Sequence, residues 1–243
     1  QDQDFFADIK DTYPLGIVVS LYDLRHEQIK VNKAFEVNKN FKFLARSLDR
    51  SHKQIFVLVI GETSRRRNWQ LNGYARPTNP ALSRQKNLVN FTNMLSVSNA
   101  TRSSIPMMLT RKPAEQVDNY AFPERSFISA FKEAGFKTYW LSNQQKFGTF
   151  DTSTSVYAKE ADEMFFLNKT NYTESGEKDD VLIPIFSKIV SRDEQKQLIV
   201  IHTLGSHYNY SHRYPSRFDV FRPSLNDLKN YSLQSKKNKE ELV

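Results

Sequence analysis

The sequence predicts an α/β fold in which a mainly parallel sheet is sandwiched between helices. Three short runs rich in apolar and aromatic residues are typical of strands buried on both faces, and they lie at Ile55–Ile60, Lys137–Leu141 and Leu198–Ile201. Two amphipathic stretches between these runs, Ser126–Ala134 and Asp179–Val190, have helical spacing. Because a helix is twice followed by a buried strand, we expect right-handed crossovers and parallel pairing.

The helix signals are local. Ser126 can cap the first predicted helix, and Gly135 stands where a left-handed residue would end it. The second predicted helix carries an apolar stripe formed by Leu182, Ile185, Phe186 and Ile189. Residues 1–54 mix short apolar patches with polar runs, so we interpret them as a lead-in segment and residues 55–243 as the α/β domain. The polar tail is expected to enter a helix at Glu240.

The composition is that of a folded, basic domain. The chain has 243 residues and a net charge of +8, with 18 Phe and 11 Tyr available for a core. It has no cysteine, which excludes disulfides, thiolate nucleophiles and cysteine zinc sites. No apolar run approaches the roughly 20 residues of a membrane helix. The triplet Arg65–Arg67 and the tail lysines are not interleaved with aromatic residues, so we expect no nucleic acid partner.

Polar residues follow each predicted strand, at the edge where an open parallel sheet binds its ligands. Glu62 follows the first strand, Asn143 the second, and His202 and His207 the third. Glu62 alone has three interpretations, namely a metal ligand, a general base, or the first-turn acid of a helix. Convergence of a carboxylate, an amide and two imidazoles on one sheet edge favours a functional site.

A fourth element, Ser96–Arg111, begins with hydroxyl residues and is typical of a helix N-terminus. Its Thr101 could cap the helix, or it could be a nucleophile whose hydroxyl is activated by a metal. Gly61 and Gly205, beside the candidate ligands, indicate close backbone approach or positive φ, although a simple turn requires the same residue. Sequence spacing leaves these alternatives open.

Four ordered blocks carry a family resemblance. They are Val57–Arg65, Leu71–Tyr74 with Arg76–Pro80, Asn99–Met107, and His202–His207 with Arg213–Pro215. In this order they resemble the bacterial phosphoethanolamine transferases, membrane-anchored members of the alkaline phosphatase and sulfatase superfamily that include lipid A modifying enzymes of polymyxin resistance. The resemblance implies an alkaline-phosphatase-like fold, incomplete at the C-terminus, with a sheet edge or hydrophobic face left uncovered.

The resemblance also implies a role for each candidate residue. Glu62 matches the family's zinc-binding glutamate, and Thr101 matches its threonine nucleophile, which is also a zinc ligand. Asn143, His202 and His207 match positions of the substrate-binding region. The implied mechanism is ping-pong, with a covalent intermediate on the threonine.

By the same resemblance, the chain is part of a zinc-dependent transferase and is inactive alone, since the remaining zinc ligands are expected downstream of Val243. Lys146 stands near a lysine that contacts phosphate in relatives. The implied donor is phosphatidylethanolamine, and the acceptor is lipid A, the lipooligosaccharide core or another envelope glycan. The implied location is the periplasm, at the surface of the inner membrane to which the full-length protein is tethered. Two alternatives remain, a sulfatase-like or phosphodiesterase hydrolase and a catalytically silent basic binding module.

Overall fold

Four parallel strands form one sheet in the order β1-β4-β2-β3. The computed structural model describes residues 16–19, 21–22, 25, 29, 36–49, 51–117, 122–145, 152–169 and 176–227. In these residues the strands are β1 Gln54–Ile60, β2 Lys137–Ser142, β3 Glu163–Phe166 and β4 Lys196–His202. All three predicted strands are therefore confirmed. β3 was not predicted, because four residues are too short for a distinct period.

Five helices have both of their ends within the described residues. They are α1 Pro80–Ser83, α2 Thr101–Leu109, α3 Phe127–Glu133, α4 Thr152–Ala158 and α5 Leu182–Val190. Both predicted helices are confirmed. Ser126 caps α3 by accepting the Ile128 N–H at 3.3 Å, and Gly135 follows the helix with φ 86°. A 3₁₀ turn, Asp179–Val181, precedes α5.

The core lies on both faces of the central strands. Along β2, Trp140 packs into one cluster while Tyr139 and Leu141 pack into another, as the two-residue period of a strand requires. The first cluster receives side chains from α2 and α3, which are Ile105, Leu109 and Ile128. The second receives side chains from α5, which are Leu182 and Ile189. The predicted arrangement of a parallel sheet between helices is confirmed.

The expectation that every strand is buried on both faces is wrong for β1. Phe56 is 48% exposed, Val57 43% and Val59 59%, whereas Trp140 in β2 is fully buried. β1 lies at an edge of the described sheet, and its side-chain exposure shows that the described elements cover its two faces only in part. An apolar run therefore marks this strand without marking its burial.

Part of the predicted lead-in segment lies against α3. The Glu133 carboxylate accepts the backbone N–H groups of Phe43 at 3.0 Å and Ala45 at 3.1 Å. The Arg125 side chain donates to the Asn38 carbonyl at 3.2 Å. These contacts fix residues 38–45 to the domain at the start of α3 and at its end.

Two of the positions discussed above, Lys146 and the tail helix expected at Glu240, lie outside the described residues. Where the structure describes the chain, no helix combines the length and the apolar character required to span a bilayer.

Candidate active site

The carboxyl ends of three strands lie side by side. His202, the last residue of β4, is in register with Ile60 of β1 and with Ser142 of β2. The loop backbones continue this alignment, since the Thr203 N–H donates to the Ile60 carbonyl at 3.0 Å and the Asn143 N–H to the His202 carbonyl at 3.0 Å. The three loops predicted to carry the chemistry therefore start from one edge.

Glu62 and Thr101 meet at this edge. The Thr101 hydroxyl donates a hydrogen bond to Oε2 of Glu62 at 2.6 Å, and the Thr63 hydroxyl donates to Oε1 at 2.8 Å. The first bond joins residues that are 39 positions apart. A short bond from a hydroxyl to a carboxylate is strong, and it orients both groups.

Thr101 is the first residue of α2, which is preceded by Ala100 at the N-cap in an extended conformation. The Thr101 side chain makes its bond to Glu62, so the interpretation of Thr101 as a helix cap is wrong. The interpretation of Glu62 as a first-turn helix acid is also wrong, because the next element is a 3₁₀ turn, Arg66–Asn68, with no acidic residue in its first turn. Thr101 therefore remains a candidate nucleophile, and Glu62 remains a candidate metal ligand or general base.

Thr63 has an unusual backbone for its residue type. Its φ is 49°, in the left-handed region that a β-branched side chain rarely adopts. Such a conformation costs roughly 1–3 kcal/mol and persists where the surroundings enforce it. The sequence offered no sign of this, because glycine or asparagine is the usual signal for positive φ. Thr63 therefore joins the site as a residue that sequence analysis missed.

Gly205 is required by close packing. Its φ is 51°, and a Cβ atom at this position would lie 2.9 Å from the Glu62 nitrogen and 3.0 Å from the Glu62 carbonyl oxygen. The next residue, Ser206, donates its N–H to the same carbonyl at 3.1 Å. The expectation of close approach is confirmed here. It is wrong for Gly61, where an added Cβ would meet no atom within 4 Å and φ is not positive.

A cleft opens over the Glu62–Thr101 pair. It has a volume of about 400 Å³, and polar side chains line much of it, including Ser64, Arg65, Ser98, Asn99 and Ser104. A second cleft of about 430 Å³ shares Thr63, Ser64 and Arg65 with the first. Trp69, Asn79 and Ser206 are among its other walls. Arg65 thus lines both of these adjoining spaces.

Asn143 and His202 lie behind the site. Asn143 is fully buried, and its amide donates to the Glu177 carbonyl at 2.9 Å and to Oδ1 of Asp179 at 3.0 Å. His202 is 2% exposed, packs edge-on against Trp140, and has its pKa lowered to about 4 by burial. Both side chains are buried in this structure, and a substrate-binding role for either of them stays a prediction.

His207 occupies a different environment. It is half-buried in the loop after β4, and its Nδ1 lies 2.6 Å from the Tyr208 carbonyl oxygen. The bond between the preceding Ser206 N–H and the Glu62 carbonyl brings this loop to the Glu62 backbone. A role for His207 in substrate binding stays a prediction.

Glu62 and Thr101 supply two oxygen donors for a metal. Zinc sites use at least three protein ligands. Within the described ranges, no group of three or more His, Cys, Asp or Glu residues is placed to hold a metal ion. These residues therefore fit part of a zinc site and do not complete one.

Comparison with known proteins identifies the family. A family model described as Sulfatase matches residues 54–239. The chain belongs to the sulfatase family. Phosphoethanolamine transferase EptC of Escherichia coli K12 is 29% identical over 214 residues, which are 86% of this chain and 37% of EptC.

Solved structures agree with this assignment. The C-terminal periplasmic domain of E. coli EptC, in a complex with Zn, matches with a TM-score of 0.64 at 29% identity over 74% of this chain and 52% of that domain. The soluble domain of lipooligosaccharide phosphoethanolamine transferase A from Neisseria meningitidis has a TM-score of 0.64 at 27% identity, over 76% of this chain and 57% of that chain. The resemblance and the fold class predicted from the sequence are both confirmed.

Proposed function

We propose that this protein transfers phosphoethanolamine from phosphatidylethanolamine to a cell-envelope glycolipid or glycan, with Thr101 as the residue that carries the group. The observation that carries the proposal is the 2.6 Å hydrogen bond from the Thr101 hydroxyl to Glu62, made at a helix N-terminus in an open cleft. The names of the relatives, phosphoethanolamine transferases, support the choice of transferred group. A hydroxyl, a carboxylate and a helix N-terminus are the parts that phosphoryl transfer to a threonine requires.

In the first half-reaction, Oγ1 of Thr101 attacks the phosphorus of the donor. The new bond joins Oγ1 to phosphorus, and the bond from phosphorus to the diacylglycerol oxygen breaks. Glu62 Oε2 accepts the Thr101 proton, which leaves with diacylglycerol. The N-terminus of α2 faces the charge that develops on the phosphoryl oxygens, and its dipole stabilises that charge.

In the second half-reaction, a hydroxyl or phosphate oxygen of the acceptor attacks the same phosphorus. The bond between Oγ1 and phosphorus breaks, and the proton released by the acceptor's O–H group passes through Glu62 to Oγ1 of Thr101. Thr101 is then ready for another donor. We propose that His207, in the loop whose Ser206 N–H bonds to the Glu62 backbone, contacts the bound group.

We further propose that zinc is bound by Glu62 and Thr101 together with ligands from outside the described residues. The zinc complex of the EptC periplasmic domain supports this proposal. When bound, zinc would lower the pKa of a coordinated hydroxyl and offset phosphoryl charge. The relatives' periplasmic domains support a periplasmic location, beside an inner membrane that supplies the donor.

The test is Thr101→Ala in the full gene product, with Ser104→Ala as the control. Ser104 lies one turn further along α2, and its hydroxyl donates to the Ala100 carbonyl at 2.6 Å. Mass spectrometry after incubation with phosphatidylethanolamine should find the adduct on Thr101 in the native protein and in the Ser104 variant. Transfer to added lipid A should fall at least roughly 10³-fold in the Thr101 variant, while the free energy of unfolding changes by about 1 kcal/mol.

Other outcomes separate the alternatives. An adduct on Ser104, or turnover retained without the Thr101 hydroxyl, would contradict the assignment. Release of phosphoethanolamine to water in place of transfer would identify a hydrolase. A native protein that binds envelope lipids yet forms no adduct would be a binding module.

A further inference from the structure

Asp179 forms two hydrogen bonds with the loop that follows β4. Its Oδ1 accepts the Leu204 N–H at 2.8 Å, and its Oδ2 accepts the Gly205 N–H at 2.8 Å. One carboxylate therefore fixes two successive backbone amides. Asp179 and the first of these residues, Leu204, are 25 positions apart in the sequence. A charged acceptor makes such bonds short and directional.

The same loop packs closely against the Glu62 backbone. Gly205 packs so closely against the Glu62 backbone that a Cβ there would lie 2.9 Å from the Glu62 nitrogen. Ser206 donates its N–H to the Glu62 carbonyl at 3.1 Å. The place of the loop thus sets the place of the Glu62 backbone, and Glu62 in turn holds the Thr101 hydroxyl at 2.6 Å.

Asp179 is itself held in place. The fully buried Asn143 donates its amide to Oδ1 of Asp179 at 3.0 Å. At the far end of the loop, Arg213 donates to the His207 carbonyl at 3.1 Å, and the charge of Asp179 acts against the lowering of the Arg213 pKa by burial. The loop is bracketed by an anion at its start and by a cation at its end.

We propose that Asp179 is a positioning residue that sets the Glu62–Thr101 pair through the Leu204–Gly205 turn, an inference that rests on the proposed transfer function. The alternative is that Asp179 serves only the helix that follows it. The contacts argue against this, because both carboxylate oxygens bond to residues 204 and 205 and no side chain caps the 3₁₀ turn or α5. Asn143 then has a reason to be buried, since it fixes the Asp179 rotamer.

The matched variants are Asp179→Asn and Asp180→Asn in the full gene product. Asp180 is the next residue and is exposed. An asparagine at 179 turns an NH₂ group toward one of the two backbone donors, so one bond is lost. We expect kcat for transfer to fall roughly 10–100-fold in Asp179→Asn, with KM for the donor within about threefold. Asp180→Asn should match the native protein.

A second variant tests the route. Gly205→Ala moves the same turn away from Glu62 and leaves the Asp179 side chain itself unchanged, so it should lower kcat as well. Because both changes act through one contact, the double variant should lose less than the product of the two single losses. Multiplicative losses, or native kcat in Asp179→Asn, would overturn the proposal.

Hydrogen exchange gives a readout that does not depend on activity. The Leu204 and Gly205 amides should exchange faster in Asp179→Asn than in Asp180→Asn. Unchanged exchange at both amides would overturn the proposal even if the native protein transferred nothing. Absence of transfer by the native protein, with faster exchange in Asp179→Asn, would instead contradict only the proposed function.

Discussion

Two glutamates at opposite ends of the sheet accept hydrogen bonds from hydroxyl groups, but their hydroxyl partners have different surroundings. Glu62, beyond the carboxyl end of β1, accepts from Thr101 at 2.6 Å and from Thr63 at 2.8 Å. Glu194, before the amino end of β4, accepts from the Tyr139 phenol at 2.6 and 2.7 Å. Both carboxylates are half-buried, so neither burial nor hydrogen bonding alone distinguishes them.

The surroundings of the donor make the difference. The Tyr139 ring is fully buried, burial and the bond to Glu194 raise its pKa, and Arg192 donates to its oxygen at 3.0 Å. The Tyr139 hydroxyl therefore has hydrogen bonds to both Glu194 and Arg192, and it lines neither cleft. The Thr101 hydroxyl stands at a helix N-terminus on the wall of a cleft. A carboxylate–hydroxyl pair becomes a candidate for catalysis only where its hydroxyl can reach a substrate.

The same substitution at both ends tests this comparison and carries the largest expected effect. Glu62→Gln should lower the transfer rate roughly 10³-fold, because the Thr101 proton loses its acceptor charge, and should change the free energy of unfolding by less than about 1 kcal/mol. Glu194→Gln should leave transfer within about twofold and lower the free energy of unfolding by about 1–2 kcal/mol. Initial rates and urea titrations of both variants measure these effects. Equal losses of activity at the two ends would remove the distinction.

His202 is a buried titratable group at the carboxyl end of the sheet. Its pKa is about 4 in the folded state, below its ordinary 6.5, because burial disfavours the charged ring. Protons therefore bind the unfolded chain more tightly, and stability is lost as the pH falls from 6.5 to about 4, by about 3 kcal/mol in total. In His202→Phe, which preserves the edge contact with Trp140, this part of the acid loss should disappear. Urea titrations between pH 7 and pH 4 measure it.

A native and a variant protein with parallel pH profiles would show that the pKa of His202 is the same in the folded and unfolded states. It would then lie in a polar environment, and a direct role toward substrate would return. Transfer by His202→Phe at pH 7 should stay within about threefold of native, since the ring is 2% exposed and faces the core.

Sequence analysis succeeded where a signal is local. The apolar runs at Ile55, Lys137 and Leu198 identified three strands, and the parallel topology then placed Glu62 on the edge that carries the cleft. Thr101 and Glu62 became candidates through their places at a helix start and after a strand, and the family resemblance gave both of them their roles.

The features that the sequence did not predict depend on contacts between residues that are distant in the chain. Nothing near Asp179 in the sequence indicates its bonds to Leu204 and Gly205, because an acid before a helix has a sufficient local explanation. The burial of Asn143 has the same origin, since the residues that cover it come from elsewhere in the chain. Exposure of Phe56 on β1 likewise depends on which elements lie over the strand, and an apolar run does not contain that information.

The smallest expected effect concerns Arg65, which lines both clefts beside the Glu62–Thr101 pair. A guanidinium offers a planar fork to phosphate oxygens, while an exposed one contributes little to folding. Arg65→Ala should raise KM for phosphatidylethanolamine roughly fivefold, equal to about 1 kcal/mol of binding, and leave kcat and the urea midpoint near native. Arg67→Ala is the matched control, since Arg67 is an exposed member of the same triplet and lines neither cleft. If both variants raised KM equally, the effect would come from the basic surface as a whole. If Arg65→Ala lowered stability and left KM unchanged, Arg65 would have a structural role, like the Glu194–Tyr139 pair at the amino end. The carboxyl end would then not be distinguished by groups that bind substrate at this position.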